Sequence, residues 1–303
     1  MQDSKPSITR RRYLDLAAIK AALLIGISYY LGALIAIHQT ITPEGIAILW
    51  PPNAILLAAF LIYPWRYLPF IAVAAGIAEL VAAIPTFPFW AAMGFAAINI
   101  MSVTLAAFCI RRICGEEFNF NRLKNGACFL FFAPFMAALL AGMMGAGIYV
   151  LMGRADTSYF VLWQLWWFGD ALAMLVFTPL IVVLWRWLQA GLPHFKLNLL
   201  LEAMLLWAAV IFIGYQSVSV DSYEKTFLFF APVWLVFLGV VSAIRLGVAG
   251  ASATVSLITI FAVEHLMRGT HPIIVNTPQN AVWLTQEYLS IIAVVSIGLA
   301  MLI

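Results

Sequence analysis

Ten apolar stretches, each long enough to cross a lipid bilayer, divide the 303-residue chain and constrain its fold more than any other feature. If the gaps between them are assigned alternately to two sides, the 16 Lys and Arg residues distribute very unevenly. Thirteen fall on one side: Lys5, Arg10, Arg11, Arg12, Lys20, Arg66, Arg111, Arg112, Arg122, Lys124, Arg186, Lys196 and Arg245. The other side holds Arg154, Lys225 and Arg268. This bias predicts that the first side, which carries both termini, is cytoplasmic.

The composition agrees with a chain that is solvated by lipid. Hydrophobic residues make up 65% of the sequence and charged residues 10%, and the mean hydropathy is +1.02. We therefore predict an all-α fold: a polytopic transmembrane helix bundle of about ten spans in an inner (plasma) membrane. Residues 1–303 are expected to form one integral membrane domain without a soluble output domain. The net charge of +3 comes from the cytoplasmic loops, so we expect contact with anionic lipid and no binding of nucleic acid.

The sequence lacks the signatures of a metal site, a cofactor site or an enzyme. Cys109, Cys114 and Cys128 fall near cytoplasmic ends and contain no CxxC pair, which argues against a disulfide and against thiolate ligation of a metal. The histidines form no HxxxH pair, and no nucleophile or phosphate-loop motif is present. We predict no cofactor, no metal and no catalytic residue within this chain.

The second apolar stretch, residues 46–62, is the most unusual one. Pro51 and Pro52 lie inside it, and two consecutive prolines remove two backbone donors, so a helix should kink or unwind there. Asn53 follows directly and is a natural partner for the freed backbone groups. Two interpretations remain open: a plain kink that shapes the bundle, or a broken helix that lines a ligand cavity.

Three further spans carry a polar side chain among apolar ones: Glu79 in the third, Asn99 in the fourth and Asp170 in the sixth. At about 1.5 Å per residue, Asn53, Asn99 and Asp170 lie near the membrane midplane and Glu79 lies in the outer half. No Lys or Arg is found at comparable depth. The acids must therefore be protonated, hydrated or paired with a group that arrives from outside the bundle, which favours a polar pocket that opens to the extracytoplasmic side.

We predict that these residues form one ligand-binding site. Asn53, Asn99 and Asp170 would line the cavity, Trp50 and Trp167 would form its apolar walls, and Glu79 would lie nearby. A cavity with acids and no base should prefer a cationic, amine-bearing or hydrogen-bond-donating ligand. The competing interpretation is that each polar residue is a structural hydrogen-bonding partner between helices.

Five motifs, which together extend over almost the whole chain, occur in a distinctive order. They are residues 48–54 (ILWPPNA), Arg66, Asn99, residues 167–170 (WFGD) followed by Thr178 and Pro179, and residues 242–247 (SAIRLG) between the eighth and ninth spans. In this order and spacing they resemble the bacterial membrane-associated sensor domain of the first type, a member of the MASE family.

The resemblance implies a membrane-embedded sensory input domain. Such a domain detects a small-molecule or protein signal and transmits it through its last helix to a cytoplasmic output on the same polypeptide. The output would be a diguanylate cyclase, a cyclic-di-GMP phosphodiesterase or a histidine kinase of a two-component system, and the parent protein would dimerise through it. The chain would then be the sensor region of a longer protein, or a stand-alone homologue.

Two other functional classes also fit ten spans with a broken helix and midplane acids. A small secondary transporter has these features, and solute uptake by the chain would identify it. A membrane scaffold that docks a partner protein would instead copurify with a stoichiometric partner.

Overall fold

The computed structural model describes residues 8–42, 45–84, 86–116, 118–120, 122–153, 157–191, 197–218, 231–269 and 278–303. Over these residues the regular structure is helical, apart from one isolated bridge between Ile41 and Ala47. The helices are α1 (Ile8–Gln39), α2 (Pro51–Ile62), α3 (Leu68–Ala83), α4 (Phe89–Cys114), α5 (Leu123–Leu130), α6 (Ala138–Leu151), α7 (Tyr159–Ala190), α8 (Leu197–Val218), α9 (Ala231–Met267) and α10 (Pro278–Leu302). A 3₁₀ turn (Trp65–Tyr67) precedes α3, and a π-helical segment (Phe131–Ala137) joins α5 to α6.

The prediction of an all-α membrane bundle is confirmed at this level. Within the described residues, eight helical segments are long and apolar enough to cross a membrane, and α2 is a shorter apolar helix of 12 residues. Large apolar side chains such as Leu23, Val73 and Leu205 lie more than half exposed on the outside of the bundle, as lipid-facing positions should. Of the basic residues counted above, Lys5, Arg154, Lys196 and Lys225 lie outside the described residues.

Of the two outcomes predicted for the second span, a kink or an unwound stretch, the structure shows the second: residues 46–50 are not helical, and α2 begins at the prolines. Pro51 and Pro52 occupy its first two positions. The N–H groups at these positions have no acceptor within a helix, so proline causes no loss of a hydrogen bond there. The helix is therefore uninterrupted. It is also shorter than the predicted span, since residues 46–50 are not helical.

The chain enters α2 through a non-helical segment, residues 40–42 and 45–50 of the described chain, which we call the α1–α2 segment; several of its backbone groups are bonded to protein. Thr42 N–H bonds the carbonyl of Ile46 at 2.9 Å, and Ile48 N–H bonds that of Thr40 at 2.9 Å. Trp50 N–H bonds the carbonyl of Gly169 on α7 at 3.2 Å. Irregular backbone at membrane depth is tolerated where protein buries it or where it lines a cavity, and this segment does both.

α9 reverses direction at Gly247, which has a positive φ of 62° and a ψ of −160°. The hydroxyls of Ser242 and Thr254 are hydrogen-bonded at 2.8 Å, although in a straight helix these positions would be about 18 Å apart. Only a chain reversal brings them together. The predicted junction between the eighth and ninth spans, just after Arg245, therefore corresponds to a hairpin of two helical halves.

Arg111 on α4 fixes the C-terminal end of α2. Its guanidinium donates to the carbonyls of Phe60 and Tyr63 at 2.8 and 2.9 Å, lies 4.3 Å from the ring centroid of Trp65, and pairs with Glu116. The Trp65 indole also donates to Glu116 at 2.8 Å. The Arg111 guanidinium and the Trp65 indole lower the pKa of Glu116 below its ordinary value. This cluster stabilises the last carbonyls of α2, which have no partner within the helix.

Candidate ligand-binding cavity

A cavity opens at the end of the bundle where α1 and α3 end and α4 and α7 begin. It encloses about 510 Å³ together with its open mouth. The α1–α2 segment and helices α1, α3, α4, α6 and α7 contribute to its wall. The lining residues are Ile37, Ile41, Gly45, Ile46, Ala47, Trp50, Glu79, Ala83, Phe87, Phe95, Asn99, Tyr149, Trp166 and Asp170.

A chain of buried hydrogen bonds runs from α2 to α1 at this cavity. The Asn53 amide donates to the side-chain oxygen of Asn99 at 3.1 Å, and the Asn99 amide donates to Glu79 Oε1 at 3.4 Å. The Tyr29 hydroxyl on α1 donates to the other oxygen, Glu79 Oε2, at 2.9 Å. All four side chains are at most 3% exposed. The network thus links four helices through one carboxyl group and two amides.

Asp170 on α7 is the second buried acid of the cavity. The indole N–H of Trp166, one helical turn earlier, donates to its Oδ2 at 3.1 Å, and Asn53 also interacts with its carboxyl group. Gly145 on α6 leaves room for the indole, because a Cβ added there would lie 2.5 Å from Trp166 ring atoms. Gly145 therefore lets Trp166 pack where its indole can reach Asp170.

The charge of the cavity is one-sided. Among the described residues that line it, Glu79 and Asp170 are the acids and none is Lys, Arg or His. The hydrogen-bonding partners of the two carboxyl groups are uncharged: Tyr29 and Asn99 for Glu79, and Trp166 and Asn53 for Asp170. Among the described residues no group of three or more His, Cys, Asp or Glu side chains could hold a metal ion.

The structure places the six predicted site residues as follows. Trp50, Glu79, Asn99 and Asp170 line the cavity, and Asn53 is fully buried against Asn99. Trp167 does not line it: its ring stacks on Trp163 with centroids 5.3 Å apart, and its indole donates to the Pro134 carbonyl in the π-helical segment. That these residues bind a ligand stays a prediction.

Sequence reasoning missed two residues that the geometry makes prominent, Trp166 and Tyr29. Trp166 replaces Trp167 as the aromatic wall beside Asp170. Its spacing of four residues from Asp170 was a usable signal, but Trp163 and Trp167 share that helical face to a similar degree. Tyr29 carried no signal, because a single Tyr in a long apolar helix is ordinary.

The segment that lines the cavity also contacts the last helix. Gln286 on α10 is fully buried, and its amide donates to the backbone carbonyl of Ile48 at 3.1 Å. On the α7 side, a Cβ added at Gly169 would lie 2.7 Å from the carbonyl oxygen of Ala47. The segment is therefore held between α7 and α10, while Gly45, Ile46, Ala47 and Trp50 face the cavity.

These features define a multi-pass helical membrane domain with a buried polar cavity. The MASE1 family model matches residues 21–303, almost the whole chain. The chain therefore belongs to the MASE1 family, whose members are membrane sensory input domains and are not catalytic. No curated protein and no solved structure matches the chain.

Proposed function

We propose that this chain is the signal-receiving domain of a bacterial signalling protein, that the acidic cavity is its receptor site and that α10 is its output helix. The observation that carries the proposal is the buried polar network at the cavity. Burying Glu79 and Asp170 at membrane depth without a cation is costly, by at least ~2.5 kcal/mol for an Asp at a helix centre. A site that receives a ligand explains why such groups are concentrated around one open cavity.

We infer ten membrane passes with both termini in the cytoplasm of a bacterial cell and the cavity mouth on the extracytoplasmic side. The charge bias of the loops supports this orientation. Counting α2 as one pass and the two halves of α9 as two gives ten. A cytoplasm-specific reporter fused after Ile303 should be active; activity of a periplasm-specific reporter there would contradict the orientation.

Transmission would run from the cavity through the α1–α2 segment to α10. A ligand that moves residues 45–50 changes the position of the Ile48 carbonyl, and Gln286 couples that carbonyl to α10. At its other end α10 packs against α5, where a Cβ added at Gly126 would lie 2.6 Å from the Met301 sulfur. Two packings of α10, biased by occupancy of the cavity, would form the switch.

The output would be cyclic-di-GMP turnover or a histidine kinase on the same polypeptide, and dimerisation would occur through that output. Residues 1–303 would act as a single sensor domain.

The proposal is tested with a diguanylate cyclase domain fused after Ile303 and cyclic-di-GMP measured per folded molecule. Asp170→Asn removes the charge but keeps the shape, and we expect output to be lost or locked at near-normal abundance. Glu264→Gln is the matched control, because Glu264 is paired with Arg268 on the exposed surface. Normal output per molecule combined with a large drop in folded Asp170→Asn protein would show that Asp170 is purely structural.

A further inference from the structure

Four aromatic rings form a contiguous wall of the cavity. The Phe95 ring centroid lies 5.2 Å from those of Phe87 and Trp166 and 5.4 Å from that of Tyr149. Tyr149 and Trp166 are 6.0 Å apart. The Tyr149 hydroxyl donates to the Gly45 carbonyl at 2.6 Å, which fixes its ring. Trp50 adds a fifth aromatic side chain to the lining.

This wall lies beside the two acids. Trp166 belongs to the ring cluster and also donates its indole N–H to Asp170. Glu79 lines the same cavity and accepts a hydrogen bond from Asn99. Aromatic faces attract cations through their negative quadrupole, and carboxylates attract cations by charge. Both parts of the lining therefore favour the same kind of ligand.

We propose that the cavity binds a small organic ammonium cation, with its charged nitrogen toward Asp170 and Glu79 and its carbon substituents against the ring cluster of Phe87, Phe95, Tyr149 and Trp166. The inference rests on the proposed function of the cavity as the receptor site and specifies the chemical class of its ligand. The bound cation supplies the positive charge that the lining lacks.

Other ligand classes match this lining less well. Among the described lining residues an anion would meet two acids and no basic group. A hard metal ion takes six or more oxygen ligands, whereas the described lining offers the side-chain oxygens of two carboxyl groups, one amide and the Tyr149 hydroxyl. A neutral apolar molecule would use the rings but would leave both acids without a counter-charge.

The test compares choline with its uncharged carbon isostere, 3,3-dimethyl-1-butanol, on the full chain in lipid nanodiscs. Binding is followed by tryptophan fluorescence and by the unfolding temperature. We expect saturable binding of choline and affinity for the isostere at least about tenfold weaker. The comparison uses the wild-type chain, so it does not depend on any variant folding. Equal affinity for the two probes, or no binding of choline or of tetramethylammonium, would overturn the proposal.

Variants assign the binding to the cavity. Glu79→Gln, Asp170→Asn and Phe95→Leu should each weaken choline binding by about tenfold, while Glu264→Gln should leave it unchanged. If the first three bind choline as the wild type does, the cation binds elsewhere and the proposal fails.

Failure of this inference is separable from failure of the proposed function. The cyclase fusion needs no added ligand. If Asp170→Asn locks its output while no ammonium binds, the receptor role stands and the ligand class is wrong. If ammonium binds the cavity but no cavity variant alters output, the ligand class stands and the receptor role is wrong.

Discussion

Gln286 on the last helix donates a hydrogen bond of 3.1 Å to the backbone carbonyl of Ile48, 238 residues earlier in the chain. This bond links the segment that lines the cavity to α10. Its donor is fully buried, and a buried amide that loses its partner costs about 1–3 kcal/mol. The bond is therefore a strong candidate for the step between ligand and output.

Gln286→Leu should uncouple the cavity from the output. Leucine keeps most of the side-chain volume but cannot hold the Ile48 carbonyl, so α10 no longer follows the segment. In the cyclase fusion, we expect Asp170→Asn to change output in the wild-type background and to have little effect in the Gln286→Leu background. Gln279→Leu, on the same helix, is the control and should preserve the response. A full response in the Gln286→Leu background would exclude this route.

Gly169→Ala should disturb the same segment from the α7 side. An added Cβ would lie 2.7 Å from the Ala47 carbonyl oxygen, and this backbone atom can move only if the segment moves. We expect a loss of about 1–3 kcal/mol in the free energy of unfolding. Gly147→Ala on α6 is the matched control, since nothing lies within 4 Å of its added Cβ. Equal effects of the two substitutions would argue against tight packing at Gly169.

Asn53 and Asn99 should be energetically coupled. Their side chains share one hydrogen bond of 3.1 Å in a fully buried position. A double-mutant cycle with Asn53→Ala and Asn99→Ala should give a coupling of about 0.5–2 kcal/mol, the range found for hydrogen bonds between membrane helices. Unfolding in a graded denaturing detergent measures it. Strict additivity of the two substitutions would contradict the bond.

The Arg111–Glu116 pair should make stability depend on pH at the acidic end. Arg111 and Trp65 lower the pKa of Glu116, so its stabilising contribution is complete above the unfolded pKa of about 4.3 and is lost as the pH falls through the lower folded pKa. Unfolding temperatures of the wild type and of Glu116→Gln should differ at about pH 6, and the difference should shrink as the pH falls below the unfolded pKa of about 4.3. A difference that stays constant over this range would contradict the assignment.

Much of the fold could be predicted from the sequence, because lipid demands long apolar helices whose ends carry charge. The reversal at Gly247 agrees with a predicted junction after Arg245. At Pro51 the sequence predicted a kink or an unwound stretch and could not distinguish them; the span is unwound before Pro51, and the proline pair marks the start of a helix. Which of these occurs depends on whether neighbouring helices satisfy the preceding backbone, as Gly169 and Gln286 do here.

The candidate site was partly predictable for a related reason. The depth of a residue in the membrane follows from its position along a helix, so the common depth of Asn53, Asn99 and Asp170 could be predicted from the sequence. The rotation of α7 about its own axis could not be predicted. Because consecutive residues differ by about 100° around a helix, this rotation decides which tryptophan faces the cavity. Packing against Gly145 directs Trp166 toward the cavity, whereas Trp167 faces the π-helical segment.

The central claim, that the state of the cavity controls α10, is tested most directly by one distance. Spin labels replace Leu123 and Leu302, which are exposed at the start of α5 and the end of α10, in a chain whose native cysteines are substituted. Double electron–electron resonance then measures the separation of the labels in the wild type and in Asp170→Asn. We predict that the distribution shifts or narrows in the variant and that Gln286→Leu abolishes this difference. Identical distributions in folded wild type and folded Asp170→Asn would contradict the account.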